Sequence, residues 1–270
     1  MIHETLDIKN ENSQEYAHLT TYILDHSDAI KSGNRPMIIL CPGGGYHLTT
    51  DREAEMVALQ FVAAAFHAAI LWYSVSPAVF PTALLELGKS VQLLREHAEE
   101  WYIDTNKIVV QGCSAGGHLA ASYGTFWHED FVSESLHVSD KERLRPNGLL
   151  LCYPVITSGE FAHRGSFQML LGENYSQELL EKVSLENQVN EYVPRTFLWH
   201  TYEDDCVPVE NSLLFVMALR RHGIPVEFHL FEHGGHGLSL ANELTQDSEG
   251  GARQPECACW IDMAITWMHN

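Results

Sequence analysis

The sequence predicts an α/β fold, with a mostly parallel central sheet of about eight strands, helices on both faces and a small insertion. Three observations predict it. From residue 36 onward, apolar runs of strand length alternate with stretches of helical periodicity, the rhythm of a parallel sheet with crossover helices. Residues Gly112-Cys113-Ser114-Ala115-Gly116 form a G-x-S-x-G between a strand-like run, Lys107 to Gln111, and a helix-like run, Gly117 to Tyr123. At 270 residues and 45% hydrophobic content, the chain suffices for one large domain with a full core, so 1–270 is expected to be a single unit.

Taken in order, residues 5–8 and 18–24 alternate weakly and read as an opening antiparallel pair. Met37 to Cys41 is a buried strand ending at Pro42. Thr50-x-x-Glu53 then reads as a capping box opening a helix to about Phe66. Ile70 to Val75 is the next strand. Leu84, Leu87, Val91, Leu94 and Ala98 recur at spacings of three and four and mark one helix face. The strand carrying the G-x-S-x-G follows, then strands at Leu149 to Tyr153, Thr196 to His200 and Val226 to Phe231. Glu210 to His222 is an amphipathic helix stopped by Gly223 and Pro225. Residues 157–193 break the rhythm with Phe161, Phe167, Met169, Leu170, Leu171 and Tyr175. They read as a small lid supplying an apolar wall, or else as a long crossover with its own helices. Pro255 to Met268 places Cys257, Trp260, Ala264 and Trp267 on one face of a closing helix.

Composition narrows the partners. Thirty-six acidic residues against 16 basic give a formal charge of −20, with no Lys/Arg cluster, which disfavours nucleic acid, anionic membranes and polyanionic substrates. Met1 to Asp7 lacks a basic region followed by an apolar one, so a cytoplasmic location is expected. The apolar stretch Met56 to Val75 is interrupted by Gln60, His67 and Ser74, and a helix-to-strand switch near Ala68 explains it better than a membrane span. The six cysteines, at 41, 113, 152, 206, 257 and 259, have no framework spacing and read as free thiols.

The G-x-S-x-G carries the chemistry. A serine at the top of a sharp strand-to-helix turn needs neighbours without side chains two residues away, which Gly112 and Gly116 supply. The same turn aims the Ala115 amide, at a helix N-terminus, toward a developing oxyanion. Nucleophilic attack by Ser114 further needs a base and an acid to orient it, in the chain order Ser, Asp, His. After the strand ending at His200 come Asp204 and Asp205. The D-x-x-V-P spacing with Val207 and Pro208 favours Asp204, with Asp205 as the alternative. After the last strand, His236 lies in G-G-H-G, where small neighbours let the imidazole swing, with His233 as the alternative. His233-x-x-His236 lacks a third ligand, so no metal is expected. Gly43-Gly44-Gly45, after the first parallel strand, can turn backbone amides inward, and Gly44, Gly45 and Ala115 are the expected oxyanion donors.

Pro42-Gly-Gly-Gly-Tyr46, Gly112-Cys-Ser-Ala-Gly-Gly-His-Leu-Ala120, Trp199-His-Thr201 with Asp204-Asp-x-Val-Pro208, and Gly235-His-Gly237 together resemble the α/β-hydrolase esterases related to hormone-sensitive lipase. More narrowly, they resemble the bacterial acetyl esterases and acetylxylan-esterase-like enzymes often labelled sugar hydrolases. The resemblance runs from about Met37 to the C-terminus. It implies a short-acyl carboxylesterase, a small-molecule ester substrate such as an acetylated sugar, no cofactor and a homo-oligomeric state. One departure is Pro42, where the broader H-G-G-G pattern has a histidine whose side chain would brace the loop.

On this reading His236 takes the Ser114 proton, so activity is expected to rise with pH through the imidazole range, about 6.5. A serine peptidase on the same scaffold and a non-catalytic hydrolase-like receptor are the alternatives. Tyr46, Trp72, Tyr73 and Tyr202 are candidates to stack on a sugar if they face the cleft rather than the core.

Overall fold

In the computed structural model, which describes residues 1–30 and 33–270, the alternating runs become one sheet. Its strands are β1 (Thr5–Leu6), β2 (His18–Tyr22), β3 (Arg35–Cys41), β4 (His67–Trp72), β5 (Ile103–Cys113), β6 (Gly148–Cys152), β7 (Thr196–Thr201) and β8 (Val226–Phe231). The order is β1-β2-β4-β3-β5-β6-β7-β8, with β1 and β2 antiparallel to their neighbours and every pairing from β4 to β8 parallel. The helices are α1 (Glu55–Ala63), α2 (Thr82–Glu96), α3 (Ala115–Phe126), α4 (Asp130–Ser135), α5 (Arg164–Leu171), α6 (Gln177–Lys182), α7 (Glu210–Arg221) and α8 (Trp260–His269).

The period-two alternation of β3 divides the core. Met37, Ile39 and Cys41 pack with Leu84, Leu87 and Val91 of α2, Leu119 of α3 and Phe215 of α7. Ile38 and Leu40 face the other way, onto Val57 and Phe61 of α1 and Trp260, Ala264 and Trp267 of α8. Because helices cover both faces, the central strands are apolar at nearly every position.

Several boundaries differ from the sequence reading: β1 ends at Leu6, β5 begins at Ile103, the closing helix begins at Trp260 rather than Pro255, and the largest changes fall in residues 50–72. The expected helix from Thr50 to Phe66 is broken: a 3-10 turn, Asp51–Glu53, is separated from α1 by Ala54 at φ −112°, ψ −104°. Strand β4 starts at His67 rather than Ile70, and its Ala68 and Ala69 pair with β2 on one side and β3 on the other. Ladder bonds on both sides outweigh the helical preference of alanine. The stretch from Met56 to Val75 is thus helix, turn and strand, and no helix among the described residues is long and apolar enough to cross a membrane.

Residues 157–193 join β6 to β7 through α5, α6 and a 3-10 turn at Leu185–Asn187. Phe167, Leu170 and Leu171 of this segment are buried in the same core as α2 and α3.

Candidate active site

The parallel strands β3, β5 and β7 deliver their C-terminal loops to one edge of the sheet, where an open α/β sheet places its functional groups. Ser114, between β5 and α3, has φ 53° and ψ −118°, a strained backbone for a residue bearing a Cβ. The turn is possible because a Cβ at Gly112 would strike the Gly116 carbonyl, and one at Gly116 the Cys41 carbonyl. Ser114 is 8% exposed, and its Oγ lies 2.8 Å from His236 Nε2. His236 Nδ1 lies 2.7 Å from Asp204 Oδ2.

Asp204 is buried and receives three further hydrogen bonds. Its Oδ1 accepts from the amides of Cys206 (3.0 Å) and Val207 (2.9 Å), and its Oδ2 from His200 Nε2 (3.1 Å). His200 Nε2 also faces the Val207 carbonyl at 3.0 Å; both partners only accept, so this nitrogen carries the proton. Nδ1 of His200 is left to accept from Ser212 Oγ at 2.6 Å. Burial alone would raise the Asp204 carboxyl, but the bonds from His200 and His236, the charge on His236 and the Val207 amide hold it well below the usual carboxylate range. Asp204 is therefore an anion fixed in position. Asp205 is exposed, and His233 turns to Glu203 at 3.1 Å, so neither alternative joins this chain of bonds.

The glycine loop lies opposite. Gly44, Gly45 and Tyr46 have φ of 136°, 64° and 58°, and the amides of Gly44, Gly45 and Ala115 have no acceptor among the described residues. The brace that Pro42 cannot offer comes from elsewhere. Tyr73 Oη donates to the Pro42 carbonyl at 2.6 Å, and Glu53 Oε2 accepts the Gly43 amide at 2.7 Å. Tyr46 Oη bonds His118 Nδ1 at 2.9 Å, while His118 Nε2 meets the Val183 carbonyl at 2.9 Å. Tyr46 and Tyr73 are thus buried supports rather than faces for a sugar. Trp72 lines a different hollow, with His3 and Tyr22, and Tyr202 is 68% exposed.

Glu53 does not close a capping box. Thr50 Oγ1 accepts from the Arg52 amide, while Glu53 turns inward and also accepts from Tyr153 Oη at 2.7 Å. Tyr153 Oη accepts in turn from the Ser239 amide at 2.9 Å, and its ring packs edge-on against His236. One carboxylate therefore ties the glycine loop to the loop that carries His236. Sequence reasoning missed this role because T-x-x-E has the same spelling whichever way its glutamate points. The sequence marks His200 only as a strand end and part of Trp199-His-Thr201, and nothing in it singles out His163.

Ser114 and His236 open on a cleft of about 200 Å³ whose other walls include Gly44, Thr50, Arg52, His163 and Cys206. Its walls are mainly polar side chains and glycines, with Leu48 packed against Gly44 beside it. Segment 157–193, expected to bring an apolar wall, presents His163 here. Among the described residues, no group of three His, Cys, Asp or Glu side chains is placed to hold a metal ion.

The BD-FAE family model matches residues 26–219. Endo-1,4-beta-xylanase B of Butyrivibrio fibrisolvens is 37% identical over 222 residues, 81% of this chain and 34% of that protein. The acetylxylan esterase of Xylanibacter ruminicola is 26% identical over 224 residues, 78% of this chain and 44% of that one. The chain thus spans between a third and a half of the length of these two relatives. In structure, it is similar to an acetyl ester-xyloside bifunctional hydrolase from Caldicellulosiruptor lactoaceticus, with TM-score 0.84 and 38% identity, covering 98% of this chain and 95% of the other.

Proposed function

The chain belongs to the BD-FAE family, with an α/β-hydrolase fold, and we propose on that footing that it is a serine carboxylesterase acting on short acyl esters, deacetylating sugars or xylo-oligosaccharides. The observation that carries the proposal is the line of hydrogen bonds from Asp204 through His236 to Ser114, beside the unoccupied amides of Gly44, Gly45 and Ala115.

In the mechanism, Ser114 Oγ attacks the ester carbonyl as His236 Nε2 takes its proton. Asp204 accepts from His236 Nδ1, keeping the tautomer that leaves Nε2 basic and stabilising the imidazolium. The carbonyl oxygen becomes an anion held by the amides of Gly44, Gly45 and Ala115, helped by the α3 N-terminus. His236 then protonates the leaving alcohol. Water repeats the sequence on the acyl-enzyme and releases the acid.

The cleft itself supports the substrate class. A cleft walled mainly by polar side chains and glycines offers little to a long acyl chain, since each buried CH₂ contributes only where apolar surface receives it, about 0.8 kcal/mol apiece. Polar walls suit a hydroxylated alcohol. The names of the two xylan-related relatives agree with this reading.

Steady-state hydrolysis of nitrophenyl acetate, butyrate and octanoate by the wild type and Ser114→Ala, beside acetylated xylo-oligosaccharide and a peptide anilide, tests it. We expect acetate to exceed octanoate, the oligosaccharide to lose acetyl groups and the variant to be inactive. Anilide cleavage exceeding ester cleavage would point to a peptidase, and a wild type inert toward every ester to a receptor.

A further inference from the structure

We infer that His163 contacts the alcohol portion of the substrate, accepting or donating a hydrogen bond to a hydroxyl beside the scissile ester and so selecting carbohydrate esters over esters of plain alcohols. The inference rests on the esterase reading above and adds a specificity residue to it.

Its basis is which polar atoms around the cleft are already engaged. Ser114 Oγ is bonded to His236 and His236 Nδ1 to Asp204. Both oxygens of Glu53 are used, by Gly43 and Tyr153. Thr50 Oγ1 accepts from the Arg52 amide, and Arg52 Nε is tied to the Thr245 carbonyl at 2.8 Å, while Arg52 Nη2, without a partner among the described residues, is buried out of reach of solvent. The amides of Gly44, Gly45 and Ala115 face the developing oxyanion. His163 is different. Its Nδ1 is fixed by Ser166 Oγ at 2.8 Å, which sets the ring plane, and its Nε2 has no partner among the described residues.

The ring is half-buried, lines the cleft with Ser114 and His236, and lies close enough to His236 and Asp204 for their charges to act on it. Burial and the His236 charge lower its proton affinity despite Asp204, which favours the neutral imidazole able to share a hydrogen bond with a hydroxyl. Its position, between β6 and β7 in the inserted segment, puts it outside the chain of bonds that moves the proton.

The test is a ratio: kcat/KM on acetylated xylo-oligosaccharide divided by kcat/KM on nitrophenyl acetate, for the wild type, His163→Ala and His163→Gln, with melting curves for each. Loss of one neutral hydrogen bond predicts a fall in this ratio of about tenfold for His163→Ala, through KM. His163→Gln, whose amide can still reach a hydroxyl, should recover part of it. A ratio unchanged in both variants, or a parallel loss on both substrates, overturns the inference and leaves the esterase reading intact. A wild type inert toward both substrates fails the esterase reading itself.

Discussion

The difference between Asp204 and Asp205 is one of backbone geometry, since the two have the same chemistry and adjacent positions. The turn after β7 directs the amides of Cys206 and Val207 onto Asp204 Oδ1, leaving Oδ2 for His236 and His200. An asparagine at 204 can offer only one oxygen to these four donors, and its amide would face a donor across the gap. Asp204→Asn is therefore expected to lower kcat by about 10³- to 10⁴-fold, as loss of the acid does where it fixes a histidine tautomer. Asp205→Asn should stay within about twofold, as for a surface change away from such features. Comparable losses in the two variants, measured on nitrophenyl acetate, would reject the assignment. His200 acts one bond further out. His200→Phe removes a donor from a buried carboxylate, and the expected result is a kcat about tenfold lower, the size of a hydrogen bond to a charged group. Ser114 and His236 were legible in the sequence because their surroundings are local: a strand, two glycines and a helix for one, G-G-H-G for the other. His200 was not, because its partner Ser212 lies on α7 and its orientation depends on the intervening turn.

Loops on different elements must hold their spacing for the amides and the imidazole to meet one substrate, and the Glu53 carboxylate joins two of them. The 3-10 turn Asp51–Glu53 exists as a separate element because Ala54 breaks the helix, and that break turns Glu53 inward. Glutamine is the informative replacement, being nearly the same shape with half the acceptor capacity. With its oxygen on the Gly43 amide, its Nε2 can only donate to Tyr153 Oη, which leaves the hydroxyl proton without its acceptor. Glu53→Gln should lower kcat about 10- to 100-fold with KM nearly unchanged, since displacing an oxyanion donor costs mainly transition-state binding. Tyr153→Phe, which keeps the Gly43 bond and loses the one to Ser239, should lose less. A rise in KM with kcat intact for Glu53→Gln would show that the carboxylate serves binding and not the oxyanion loop. The same elements show the limit of periodicity: α2 and α7 were legible because their faces are amphipathic, whereas residues 50–72 are rich in alanine and could be helix or strand until β2 and β3 provide partners.

At the scale of the whole molecule, the parallel rhythm gave the sheet away, but the burial of individual histidines did not show, because their partners come from distant parts of the chain. His67 on β4 accepts from the Leu24 amide and donates to the Tyr102 carbonyl, and His118 on α3 links Tyr46 to Val183. Burial drives both proton affinities down, to a pKa of about 4 in each case, against a carbonyl bond that partly offsets it. The direction of the consequence follows. Between about pH 6.5, where an unfolded histidine titrates, and pH 4, the unfolded chain holds more protons than the folded one, so stability falls as pH falls. The two contributions are fully present above the unfolded value and lost by the folded one, each with a slope of up to about 1.4 kcal/mol per pH unit. Asp204, held low in the fold, adds its own loss only at still lower pH, after the histidines have titrated. The melting temperature should therefore drop steadily from pH 7 to pH 4.5, and His118→Gln, which cannot take up the proton, should flatten its share of that slope. Because the buried Glu86, raised in the fold, pulls the other way, the decisive comparison is with the variant: a pH slope unchanged in His118→Gln would contradict the neutral, buried state of that ring. Because Tyr46 follows Gly45 directly, protonation of His118 would also disturb the brace on the glycine loop. Activity lost on brief acidification should then return on neutralisation, in step with the recovered fold.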